Sequence, residues 1–340
     1  GMSDSVIAKP STKPNGTAGI RRGTASVTAC RSTRLWRVSV PSVSTQRTVR
    51  PAGGFAPRGL DRGWCGRHPP RRVGSSLAQV RLISYLTPGY PAALFEALAE
   101  LIGVDLGFEV GRSGPDPALD PFAAGTADLG WLCSTSFIEL TTDRTPSVQQ
   151  VGVAWVPDDP DANGHPVYFS DLLVQPGTNA GSLEDLAGLR IGCNDPASLS
   201  GYHALRIELD RRDHDPDSFA ELVMTGGHHH SIDQLLAGEI DAAVIDSIVR
   251  TRRARQWPEV AELRIVERLG PWPTQPVVMR ADASAAEVVQ VRKQLLEANH
   301  HPEIMSLLAE SALVGLAATP DDHCAGIRTA MERLSVRLDY

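Results

Sequence analysis

Cysteine is scarce in this chain. Its 340 residues include five, Cys30, Cys65, Cys133, Cys193 and Cys324, an odd number with no Cys-x-x-Cys spacing, which supports neither a disulfide framework nor a zinc ribbon. Cys133 and Cys193 stand in apolar, strand-like surroundings and read as buried structural thiols. No apolar run approaches the roughly 18 residues of a membrane-spanning helix. A Walker loop, a Gly-x-Ser-x-Gly elbow, a Gly-x-Gly-x-x-Gly turn after a strand and a His-Glu-x-x-His pair are all missing, so no enzyme class announces itself. Basic residues are few where the chain looks folded: residues 81–340 carry 19 Lys and Arg against 38 Asp and Glu, a net charge of −19. That balance argues against a nucleic-acid partner, because duplex binding rests on neutralising phosphates.

The first 80 residues invert the sign, with 14 Lys and Arg against only Asp4 and Asp61. They are rich in Arg, Ser, Thr, Pro and Gly and show neither a helical nor a strand period. The nearest approach to the apolar segment of a signal peptide, Leu35–Val40, is interrupted by Arg37, and no apolar segment follows Arg21-Arg22. Residues 1–79 therefore read as a basic, disordered tail or as sequence upstream of the true start, with the fold beginning near Val80. A hydrophobic content of 42% and a charged content of 21% suit a folded globular chain. At roughly 150 residues per domain the length favours two domains.

From Arg81 onward, strand and helix signals alternate between short Gly, Pro and Asp turns, an α/β pattern. Expected strands are 81–85, 106–110, 127–132, 148–155, 168–174, 190–193, 222–224, 240–245, 263–267 and 276–279. Expected helices include 91–102, a short one at 122–124, a capped turn at 182–186, 202–209, 231–236 and 247–256, with a helical C-terminal part over 285–338.

Ligands in such folds gather at the carboxyl ends of strands, which singles out three places. In Asn194–Gly201, the hydroxyls of Ser198 and Ser200 meet the positive end of a following helix, which is an anion site or an ordinary N-cap. In Gly226-Gly227-His228, two glycines let the chain turn so that His228 faces the same cleft. His228-His229-His230 is not a metal site, since successive helical residues point about 100° apart. Asp246, at the end of a third strand, either pairs with a ligand or caps the next helix.

These segments, in this order, resemble the substrate-binding proteins of phosphate, phosphite and phosphonate ABC transporters, which have the type 2 periplasmic-binding-protein fold. Ser182–Ile191 resembles that family's entry to its second domain, Asp195–Tyr202 its anion loop, and Thr225–His228 with Gly238–Ala243 its next strand, turn and helix. Pro271–Pro276 resembles its Pro-rich return segment. The resemblance covers about residues 81–335. It implies two α/β lobes, each a mixed sheet flanked by helices, joined by two crossing segments near Tyr168–Val174 and Gln275–Arg280. Lobe 1 would then be 81–170 plus 276–340, and lobe 2 would be 171–275.

The same resemblance implies that Ser198, Leu199 through its backbone, Ser200 and His228 hold an anionic group while Asp246 faces a ligand amine or hydroxyl. Tyr85 and Trp131 would close over the other side, with hydroxyls added by Ser134, Thr135 and Ser136, although Trp131 also suits core packing. Leu199 stands where the family often carries a hydroxyl residue. The implied function is capture of phosphonate, phosphate or a related polar anion or zwitterion for an ABC permease, without cofactor or metal and without catalysis. The implied location is the periplasm or cell surface. A cytoplasmic ligand sensor or a biosynthetic enzyme of the thiamine pyrimidine-precursor type on the same fold is the alternative, although the cysteine-rich iron motif of those enzymes is absent.

Overall fold

The computed structural model describes residues 81–86, 89–106, 120–142 and 146–338. The expectations for residues 1–79, for Cys30 and Cys65 and for strand residues 107–110 lie outside the described residues.

Two mixed sheets organise the fold. The six-stranded sheet has the order β11-β4-β10-β3-β1-β2, built from β1 (Arg81–Ser84), β2 (Asp105–Leu106), β3 (Leu129–Trp131), β4 (Val148–Pro157), β10 (Pro276–Arg280) and β11 (Leu313–Ala318). The five-stranded sheet has the order β7-β6-β8-β5-β9, from β5 (Val167–Val174), β6 (Arg190–Cys193), β7 (Glu221–Met224), β8 (Ala242–Asp246) and β9 (Arg264–Pro273). Strands β1, β2 and β3 run parallel, as do β6, β7 and β8, and the returning strands β4, β5, β9, β10 and β11 pair antiparallel.

Helix α1 (Ala92–Ile102) buries Leu94, Phe95, Leu98 and Ile102 on the first sheet and stops at Gly103, whose left-handed backbone a side chain would strain. Helix α2 (Ser134–Thr142) follows β3 after Leu132 and Cys133. In the second half, α3 (Ala204–Arg211), α4 (His228–Ala237) and α5 (Ser247–Gln256) follow β6, β7 and β8, and α6 (Pro258–Ala261) leads into β9. A capping box between Ser284 and Glu287 starts α7 (Ala285–Glu297), and α8 (Pro302–Glu310) and α9 (Ala325–Leu338) complete the chain.

Several expectations shift. Strand β5 belongs whole to the five-stranded sheet, so the chain crosses between sheets at 158–166 and at 274–275 rather than within 168–174. The expected boundary at 170 thus falls inside a strand. Residues 122–125 are a turn ending at Gly125 with φ 66°, not a helix. The C-terminal part is interrupted by β11, whose Leu313, Gly315 and Leu316 are buried against β4. At 182–186 the expected short helix forms as a single 3-10 turn, Glu184–Leu186, and Asp185 accepts from the backbone of Gly181 and Ser182.

The first sheet shares one apolar core with its helices, and that core extends onto Leu199, Ala204, Ile207, Ile248, Val249 and Trp272 from the other half. Two smaller cores flank the second sheet. The two halves are thus packed against each other along the ends of β6 and β8.

Candidate functional site

Four helical segments follow their preceding strands through connections of at most five residues, and side-chain contacts tie their first turns into one cluster. Ser198, in extended backbone after β6, caps the wide turn Leu199–His203: its Oγ accepts from Gly201 N at 3.0 Å. The chain is held close at Gly201, where a Cβ would lie 1.5 Å from Asn194 Oδ1 and 3.0 Å from His228 Cε1. Only glycine fits there. Ser200 Oγ lies 3.5 Å from His228 Nε2, and the Ser200 carbonyl accepts from Ser170 Oγ on β5.

His228 opens α4 after the extended Gly227. Its Nδ1 accepts from the Asp246 backbone N–H at 3.4 Å, and its Nε2 lies 3.5 Å from Ser200 Oγ and 3.4 Å from the Asn194 amide nitrogen. Burial pushes the imidazole down to about 3, so the ring is neutral at neutral pH.

Asp246 ends β8 and caps α5, accepting on Oδ1 from Ile248 N at 2.8 Å and Val249 N at 3.3 Å. Its Oδ2 accepts from Gln275 Nε2 at 3.1 Å. Burial, opposed by those amide donors and Gln275, raises its carboxyl to about 7. Gln275 lies in the second crossing and accepts on Oε1 from Tyr90 OH at 3.4 Å. The cluster thus reaches from α5 to the turn before α1.

On the opposite wall, Ser134, Thr135 and Ser136 form the fully buried first turn of α2. Thr135 Oγ1 donates to the Ala197 carbonyl in the loop before Ser198, joining the two halves directly. Cys133 Sγ lies 3.1 Å from Thr135 Oγ1 and 3.8 Å from Ala197 O. Cys133 is partly exposed at this junction, a correction to its reading as a buried structural thiol, whereas Cys193 is buried as expected.

The structure does not draw the remaining expected residues into this network equally. Tyr85 OH donates to Asp120 Oδ2 at 2.5 Å. Trp131 is fully buried, stacked on Trp155 at 5.1 Å and edge-on to Phe95 at 5.4 Å, so core packing describes it. Residues the sequence did not single out are Tyr90, Tyr168, Asn194 and Gln275. Tyr90 stacks on Trp155 at 6.1 Å, and Tyr168 is buried beside Ser200.

Several buried polar atoms at and beneath the junction lack a well-formed partner: Ser136 Oγ, Tyr168 OH, Asn194 Oδ1 and the indole N–H groups of Trp131, Trp155 and Trp272. An unsatisfied buried group costs about 1–3 kcal/mol, so such a cluster is what a site looks like before its polar ligand arrives. No Lys or Arg among the described residues is bonded to Ser198, Ser200, His228 or Asp246. The donors that meet here are helix N-termini and neutral hydroxyl, amide and imidazole groups.

No curated protein matches the chain. Among solved structures, a binding protein component of an ABC phosphonate transporter from Pseudomonas aeruginosa aligns at 19% identity and TM-score 0.63, covering 77% of this chain and 89% of its own. PhnD1 from Prochlorococcus marinus in complex with methylphosphonate aligns at 13% identity and TM-score 0.61, covering 76% and 99%. A Xanthomonas citri protein bound to ATP aligns at 16% and 0.58, covering 76% and 98%. At such identities these alignments establish the shared fold. The profile of the family described as "ABC transporter, phosphonate, periplasmic substrate-binding protein" matches residues 91–324, more than half of the chain. Together with a two-sheet fold whose strand ends meet at one polar junction, that match makes the chain a member of the substrate-binding proteins of phosphonate ABC transporters, which bind solutes without transforming them.

Proposed function

We propose that this chain captures a small phosphonate or related phosphorus oxyanion at the junction of its two halves and delivers it to an ABC permease at the outer face of the inner membrane. The halves act as lobes, the first formed by 81–157 with 276–338 and the second by 167–273, hinged at 158–166 and 274–275. Ser198, Ser200, His228 and the amides of Leu199 and Ser200 hold the oxyanion. The first turn of α2, with Ser134, Thr135 and Ser136, closes over it.

The observation that carries this reading is the meeting of helix N-termini with unpartnered buried polar atoms around Ser198, Ser200, His228 and Asp246, to none of which a Lys or Arg among the described residues is bonded. A preorganised set of neutral donors binds an oxyanion by short-range hydrogen bonds even though the surrounding charge is negative. Family membership removes the enzymatic alternative, and no feature of the site favours a sensor.

A thermal-shift panel on the full chain tests the reading with methylphosphonate, phosphite, phosphate, sulfate and arginine. A ligand at 100 times its dissociation constant adds about 2.7 kcal/mol, a rise of a few degrees. A rise with one or more phosphorus oxyanions and none with arginine is expected. A rise with arginine alone contradicts it.

A further inference from the structure

A buried carboxyl stands beside the oxyanion donors. Asp246 is 2% exposed, and its backbone N–H donates to His228 Nδ1, so an oxyanion held by His228 and Ser200 has this side chain as a close neighbour. The groups that face the carboxyl come from each element packed around it. Helix α5 supplies the amides of Ile248 and Val249, the second crossing supplies Gln275, and α4 supplies the neutral His228. Strand β5 supplies Asp171, which is ion-paired to Arg250 and Arg268. It also supplies Tyr168, and the turn before α1 supplies Tyr90; burial first, and then the charge of Asp246, holds both phenols well above the usual tyrosine range, so both keep their protons. The Asp246 carboxyl itself, at about 7, lies within reach of an ordinary change of pH.

Like charges in a water-poor interior repel several times more strongly than in water, and acids that share such a site do not both stay ionised. Building on the phosphonate reading above, we propose that capture of a phosphorus oxyanion takes up one proton from solvent onto Asp246 Oδ2, so that the bound state holds the acid in place of the carboxylate. Gln275 accommodates the proton. Its Nε2 donates to Asp246 Oδ2 at 3.1 Å, and its Oε1 accepts from Tyr90 OH at 3.4 Å. Once Oδ2 carries a proton, the amide turns over: Oε1 accepts from Oδ2–H, and Nε2 donates to the Tyr90 oxygen. The helix cap on Oδ1 is untouched, and the Tyr90 O–H, no longer spent on Gln275, becomes a further donor at the junction. The step forms one O–H bond and consumes only a solvent proton. It also gives Asp246 a different task from the amine contact implied by family resemblance.

The test compares the full wild-type chain with Asp246→Asn, which is isosteric with the acid, keeps a capping oxygen and cannot ionise. Methylphosphonate is titrated calorimetrically into both at about pH 6.5 and about pH 8.5. The ligand's own titration acts on both proteins alike and drops out of their affinity ratio. From the lower to the higher pH, the variant is expected to gain on the wild-type chain by at least about fivefold in that ratio. A ratio that stays the same, or moves the other way, overturns the inference and leaves the phosphonate reading intact. If circular dichroism shows the variant unfolded, infrared difference spectra of the wild-type chain at the higher pH decide. Addition of methylphosphonate is expected to raise the C=O band of a protonated carboxyl, and absence of that band overturns the inference. Absence of binding heat from the wild-type chain at both pH values overturns the phosphonate reading and the inference with it.

Discussion

His228 carries the electrostatics of the site at the scale of one residue. An unfolded histidine titrates near about 6.5, whereas burial holds His228 down at about 3. Between those values the unfolded chain binds a proton that the folded chain does not, so stability falls as pH drops below about 6.5. Asp246 acts in the opposite sense: raised to about 7 from an unfolded value near about 3.9, it makes stability fall as pH rises across that interval. The two effects oppose each other from about pH 4 to 6.5. In His228→Asn the acid-side loss disappears, and at pH 5 the variant should lose about 2 kcal/mol less than the wild-type chain relative to pH 8. Urea unfolding at both pH values measures this, and equal pH differences in the two proteins would refute the assignment. Legibility at this scale followed sequence distance. Ser198, Ser200, His228 and Asp246 each lie at a strand end or within seven residues after one, so local pattern alone singles them out as candidates. Tyr90 and Gln275 meet across 185 positions, which no local pattern encodes.

At the scale of elements, the candidate site is built from strands handing over to helices through connections of at most five residues. Helix α5 begins at Ser247 immediately after β8 ends at Asp246, and the wide turn Leu199–His203 runs straight into α3. Strand β5 was legible as a strand but not as a full member of the second sheet, because its apolar run Val167–Val174 looks the same whether it crosses or pairs. Strand β11 was hidden for a related reason: its Leu-Val-Gly-Leu-Ala-Ala sequence follows α8 after Ser311 and Ala312, and only pairing with β4 separates it from a helix. Helix α2 touches the other half through Thr135 and the Ala197 carbonyl. Thr135→Val keeps the shape and removes that bond, and a buried neutral hydrogen bond is worth about 0.5–1.5 kcal/mol net. Methylphosphonate affinity should fall roughly three- to tenfold. Titration calorimetry reads this change, and an unaltered affinity would mean that the contact plays no part in closure.

For the whole molecule, function comes from two packed halves whose polar ends meet. The apolar core already runs from the first sheet onto Leu199, Ile248 and Trp272. On the proposed reading, a ligand shifts any balance between open and closed forms only through its differential affinity for the closed form. The net charge of −19 over residues 81–340 gives no long-range attraction for an anion. Capture is local, and association should be correspondingly unhurried. The most direct measurement is methylphosphonate titration into the wild-type chain and a Ser198→Ala/Ser200→Ala variant, with circular dichroism to confirm that both are folded. Saturable binding by the wild-type chain, weakened at least about tenfold in a folded variant, is the predicted result, while equal affinity in the two proteins would contradict the site.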